Sequence, residues 1–181
     1  YQGSPVFYGG SATGIFASSY YGAAEVTNSG TVSATVNDSY LVGYVGVMGK
    51  QEGIDYLLRA AAHLVHGLKR RDVHFGLVGG GTSLAEMKAL ARELGIAEYV
   101  TFTGRVSDGA LLAMLSTADV CVNPDVANEM NDISTMNKVM EYMALGKPIV
   151  QFDLAEGRFS AQRASVYARR NDAADLAAKI A

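Results

Sequence analysis

The run STMNKVMEYMALGKPIVQFD, Ser134 to Asp153, joins a helical pattern to a buried-strand pattern with almost no chain between them, and this narrows the possible folds more than any other segment. Ser134 and Thr135 are residue types that cap helix starts, and Met136, Val139, Met140, Met143 and Ala144 recur at the spacing of one apolar helical stripe. Gly146 ends that helix, and Pro148 keeps it from resuming. Pro148 to Phe152 is a short apolar run between Lys147 and Asp153, the pattern of a strand buried on both faces of a parallel sheet. Lys138 and Glu141 fall three apart, on neighbouring parts of one helix face. Beside a strand end, such a cation and carboxylate suit a diphosphate and a ribose hydroxyl, because helix-start amides and the helix dipole favour anions there. Spacing alone fits an ordinary surface ion pair equally well.

The same alternation runs back to Leu41. LVGYVGV reads as a buried strand, followed by a helical stripe of Ile54, Leu57, Leu58, Ala61, Leu64, Val65 and Leu68. VHFGLVG is a second strand. Ser83 and Glu86 form a capping-box pattern for a helix bearing Leu84, Met87, Leu90, Ala91 and Leu94, closed by Gly95. YVTFTG, a Ser107-capped helix to Ala118, and DVCVNP repeat the unit; SVYARR is a last strand and Asn171 caps a final helix. Strands and helices in this order predict right-handed crossovers and an α/β, Rossmann-like parallel sheet with helices on both faces. Ligands of such sheets bind at the carboxyl ends of the strands.

KVMEYMALGKPIV resembles the donor-side signature of the group 1 (family 4) retaining glycosyltransferases, and in particular a bacterial surface-polysaccharide branch. VGYVGVMGKQEGIDYLLRAA, VHFGLVGGG and VTFTGRVSDGALLAMLSTADVCVNP follow the family's order, so the likeness covers roughly Leu41 to Ala181. The resemblance implies the donor half of an enzyme with two Rossmann-like domains. It implies a nucleoside-diphosphate sugar as donor substrate, no further cofactor, and a saccharide or lipid-linked acceptor in lipopolysaccharide or exopolysaccharide assembly. The acceptor domain that the family places first is missing from these residues.

The strand-end loops supply the candidate site. After the first strand come Gly46, Gly49 and Lys50; in the family a basic residue here touches the donor diphosphate, but Val47 and Glu52 stand where Arg and Lys are common, leaving Lys50 for that role. Gly79, Gly80 and Gly81 let a backbone approach a ligand without side-chain clash. They lack the spaced dinucleotide fingerprint and its following acid, which disfavours a nicotinamide enzyme. By resemblance, the backbone at Gly104, Arg105 and Val106 meets the nucleobase and Arg105 lies near the donor. The family's sugar-orienting Glu would fall at position 133, which is Ile; Asp132 next to it, or Asn131 and backbone amides, are the substitutes. Lys50, Lys138 and Glu141 then form the catalytic set, with Ser134 and Thr135 adding hydrogen bonds to phosphate and Glu141 holding the ribose. No paired-aspartate motif suited to a magnesium-bound diphosphate is present, so no metal is expected. His63 and His66, three apart, lack the further ligands that a zinc site requires.

Composition sets limits on the remaining functions. A net charge of −3 gives no polyanion-binding surface and excludes nucleic acid as the expected partner. The single Cys121, inside an apolar strand, rules out a disulfide framework and fits a reduced, cytoplasmic setting, with an inert thiol. No stretch approaches a membrane span. LKRRD, Leu68 to Asp72, reads as a solvated connection, to which a lipid-linked acceptor would give a peripheral role at the inner membrane face. Residues 1–40 differ from the domain at 41–181: they contain no Lys or Arg and only Glu25 and Asp38 as acids. This low-complexity, β-prone segment resembles the repeats of adhesin β-helices and equally fits a linker. The chain begins at Tyr1, as a fragment or processed product would. Two other functions stay open, a nucleotide-sugar-modifying enzyme such as an epimerase and a non-catalytic surface-protein fragment.

Overall fold

The computed structural model describes Tyr40–Ala181 together with the backbone of two short strands, β1 (Ala24–Val26) and β2 (Val32–Ala34), which pair antiparallel. The adhesin-like or linker reading of residues 1–40 lies otherwise outside the described residues.

From Tyr40 the expected alternation appears. The strands are β3 (Tyr40–Val45), β4 (Val73–Val78), β5 (Val100–Gly104), β6 (Val120–Asn123), β7 (Ile149–Phe152) and β8 (Ser165–Ala168). Between and after them lie α1 (Ile54–Ala62), α2 (Leu84–Glu93), α3 (Asp108–Thr117), α4 (Glu129–Asp132), α5 (Asn137–Ala144), α6 (Ala155–Ala161) and α7 (Ala173–Ile180). The six strands form one parallel sheet in the order β5-β4-β3-β6-β7-β8. Chain order reverses between β3 and β6, so the crevice at their carboxyl ends is the topological switch point where such sheets hold ligands.

Near-continuous apolar strands are needed because both sheet faces are covered. One face packs Val42, Tyr44, Phe75, Leu77, Val122 and Phe152 against α1, α2 and α7. The other packs Leu41, Val45, Val78, Cys121 and Ile149 against α3 and α5, through Met114, Leu115, Val139 and Tyr142. Cys121 is buried and its thiol is pushed up to about 12 by that burial, in keeping with an inert core sulfur.

Local signals are reassigned at several helix ends. Ser107 caps α3 as expected, accepting from the Ala110 N–H. Ser83 makes no side-chain cap bond to α2, so the capping box with Glu86 does not form; Ser83 is buried and its N–H donates to Met48 O instead. Asp172, not Asn171, caps α7, accepting from the Ala174 and Asp175 amides. Asn171 adopts φ 54° and clamps the backbone of Ala127 with both ends of its amide. The stripe on α1 continues through a π-type turn, His63–Gly67, and stops at Val65, because Leu68 is exposed.

Helix α5 departs most from expectation. It begins at Asn137, and neither Ser134 nor Thr135 caps it. The Ser134 hydroxyl donates to Met130 O, and the Thr135 hydroxyl donates to Glu156, which holds that carboxyl below its ordinary range. Met140 and Ala144 face outward, while the inward face is Lys138, Val139 and Tyr142. The helix is rotated from the position that an apolar stripe alone would dictate, since Lys138 finds two carboxylate partners, one of them buried, and can go inside.

Candidate functional site at the switch point of the sheet

Three loops meet at the carboxyl ends of the central strands, zipped by backbone hydrogen bonds. Gly46 N–H donates to Val78 O, Met48 N–H to Gly80 O, and Gly79 N–H to Gly104 O. The glycines are required by this contact between backbones. A Cβ on Gly79, at φ 134°, would stand 1.8 Å from Gly46 O, and one on Gly81 would stand 2.4 Å from Met48 O. The absence of side chains expected to serve a ligand at these two positions therefore serves the neighbouring loop. Gly80 has room, its nearest neighbour being Arg105 Cγ, 3.8 Å from where its Cβ would sit, so the Gly80 and Arg105 loops do come together. Arg105 is exposed and Val106 packs half-buried on the second core.

Lys138 joins residues from three elements around the switch point. Its ammonium, on a side chain 9% exposed, donates to Asp125 Oδ1 at 2.6 Å and to Glu52 Oε2 at 2.8 Å, and sits 5.3 Å from the centroid of the Tyr44 ring. Asp125 comes from the loop after β6, Glu52 from the short turn before α1, and Tyr44 from β3, so the cluster spans the switch point. Asp125 is 1% exposed and its Oδ2 has no partner among the described residues. Burial, only partly offset by Lys138, pushes its carboxyl up to about 6. The Tyr44 hydroxyl donates to Val47 O, and burial raises it too. Charge-assisted bonds of this kind hold the three elements together more firmly than neutral ones would.

The surface pair between Lys138 and Glu141 does not form. One turn of α5 puts Lys138 inside and leaves Glu141 exposed. Asp132 is also committed within the protein: its Oδ1 accepts from the Ala155 N–H at the start of α6 and from Arg170. Asn131 is buried and donates to Gln51 O and Val126 O, which pins the loop after β6 to the loop after β3. Ile133, at the position that the resemblance gives to a sugar-orienting Glu, is 80% exposed. Lys50 is exposed and borders a groove of about 550 Å³ between α1 and α2, together with Asp55, Arg59 and Glu86. Gly49 borders the same groove. His66 Nε2–H donates to Leu94 O at 3.0 Å, as a helix-end contact.

Asp125 carries no motif signal of its own, and Tyr142 lies inside the KVMEYMALGKPIV segment without a role that spacing assigns to it. The available hints were an acid directly after a buried strand and Pro124, and a tyrosine four residues from Lys138 on one helical face. Glu52 was visible only as a residue of the wrong charge for a phosphate contact.

Comparison with known proteins places this chain in a family. Alpha-D-kanosaminyltransferase of Streptomyces kanamyceticus is 28% identical over 119 residues, covering 66% of this chain and 29% of that protein. The chain spans under a third of the length of the curated relatives it matches. Anabaena Alr3699/HepE in complex with UDP-glucose shares the fold at TM-score 0.67 and 21% identity, over 79% of this chain and 38% of that one. WaaG, a glycosyltransferase involved in lipopolysaccharide biosynthesis, shares it at TM-score 0.65 and 20% identity, over 79% and 37%. Residues 39–181 match the family model described as Glycosyl transferases group 1, and the chain belongs to that family.

Proposed function

We propose that this domain binds the nucleoside-diphosphate sugar of a retaining glycosyltransferase. An acceptor domain elsewhere in the protein would complete the cleft, and the glycosyl group would pass to a saccharide or lipid-linked acceptor in cell-surface polysaccharide synthesis at the cytoplasmic face of the membrane. One observation carries the reading: α5 starts beside the strand ends of the switch point with the Lys138 ammonium on its inner side and the Glu141 carboxylate exposed on its outer side. A diphosphate at this helix start would gain from first-turn amides and from Lys138, and Glu141 would accept from a ribose hydroxyl. Negative charge builds on the leaving diphosphate as the glycosidic bond breaks, so cations and amides fixed there lower the barrier without a metal. Lys50 and Arg105, both exposed on strand-end loops, are the further cations this reading assigns to the phosphates. The bound UDP-glucose of the Anabaena neighbour and the polysaccharide role of WaaG support the donor class and the setting.

The test is calorimetric titration of this chain with UDP, GDP and their sugars, alongside Glu141→Ala. Binding of one nucleotide, weakened about tenfold or more by loss of the charged hydrogen bond while thermal stability stays unchanged, is the expected result. No binding of any of them would overturn the reading. Efficient sugar transfer by this chain alone would overturn the need for a separate acceptor domain.

A further inference from the structure

We infer that Glu52 is an internal stand-in for the donor diphosphate: its carboxylate holds the solvent side of the Lys138 ammonium, and nucleotide binding requires that carboxylate to rotate away. This inference rests on the donor-site reading above. Lys138 has two anionic partners of unequal permanence. Asp125, at 1% side-chain exposure, cannot leave without a buried carboxylate losing its partner, whereas the Glu52 side chain is 26% exposed. One ammonium between two carboxylates is also one cation short of balance. A diphosphate could enter a cluster of this charge only by replacing one of the anions, and Glu52 is the replaceable one.

The backbone around Glu52 restricts the change to its side chain. Gln51 O accepts from Val126 N–H and from Asn131 Nδ2, and Gly53 is pressed on Pro124 O, where a Cβ would come within 1.9 Å. Gly53 O in turn accepts from Leu57 N–H in the first turn of α1. Residues on either side of Glu52 are thus fixed, and the carboxylate exchanges by rotation about its own torsions. Tyr44, whose hydroxyl lies 3.4 Å from Glu52 Oε2, and Gly46, whose Cα side approaches Lys138 Cε, line the space that opens. In this arrangement Glu52 keeps Lys138 oriented and screened until a donor binds, and sets how tightly that donor is held.

The experiment is calorimetric titration of the wild-type chain, Glu52→Gln and Glu52→Asp with UDP, GDP and, as a phosphate-free probe, uridine. For whichever diphosphate the wild type binds, Glu52→Gln is expected to bind on the order of tenfold tighter, because a competing charge has gone. Glu52→Asp, one methylene shorter, is expected to fall between the two, with uridine affinity the same in all three. The uridine control matters because a merely structural role for Glu52 would alter nucleoside and nucleotide binding alike. Nucleotide binding by the wild type with no tightening in either variant would overturn the role of Glu52 and leave the donor site standing. Absence of binding in wild type and variants alike would overturn both.

Discussion

The Tyr142 hydroxyl accepts a hydrogen bond from the Val45 N–H at 3.0 Å, across 97 residues of sequence. The ladder between β3 and β6 covers only Val42↔Val120 and Gly43↔Cys121, so by Val45 the two strands have parted and that amide has no strand partner on the β6 side. A helix side chain takes the place of the missing strand at the point where the crevice opens. Tyr142→Phe keeps the ring and removes the acceptor, leaving a buried amide unpaired. A loss of about 1–3 kcal/mol is expected in urea unfolding at unchanged m-value. A change within experimental scatter would show that the bond contributes nothing.

Removing the cation from the buried cluster is expected to cost more. Lys138→Met strands Asp125 in the interior, at about 3–5 kcal/mol. Adding Asp125→Leu to that variant should recover much of the loss, since an apolar pair replaces an orphaned charge. A double variant no more stable than Lys138→Met would mean that the cluster is not the source of the cost.

Stability should carry a specific pH signature from Asp125. Its folded value of about 6 lies above the ordinary 3.8, so the folded chain binds this proton more tightly than the unfolded chain. The contribution is therefore fully present below about pH 4 and is lost as pH rises through about 6. Asp72, Asp153 and Asp172 are shifted downward, the first two chiefly by Arg partners and Asp172 by backbone amides, and act in the opposite sense. Comparison with Asp125→Asn separates them: wild-type stability minus variant stability should fall between pH 4 and pH 7. A flat difference would place the proton elsewhere.

Glycine substitutions should rank by what a Cβ would meet. Gly53→Ala and Gly79→Ala put a methyl within 2 Å of a carbonyl oxygen at positive φ, and are expected to lower the melting temperature sharply or prevent folding. Gly67→Ala, with nothing within 4 Å, should be neutral or stabilising by up to about 1 kcal/mol. Equal effects at all three would contradict the packing of the strand-end loops.

Periodicity and punctuation by themselves determined the alternating elements, the parallel sheet covered on both faces and the set of loops at its carboxyl edge. These depend on spacing within a few residues, and a buried strand or an amphipathic helix needs no knowledge of its partner to be recognised. Ser107 capped its helix for the same reason, with the acceptor and the amide three residues apart. Only the tertiary structure decided where the charged and polar groups went. Lys138 is drawn inward by Asp125, 13 residues away, and by Glu52, 86 residues away. Those contacts turn α5 so that Met140 faces solvent and Tyr142 reaches Val45. Ser134, Thr135 and Asp132 were good candidates for a helix start or a sugar, but Met130, Glu156, Ala155 and Arg170 engage them first. The energy of a buried charge is set by whatever surrounds it in three dimensions, and that depends on distant segments arriving together at the switch point of the sheet.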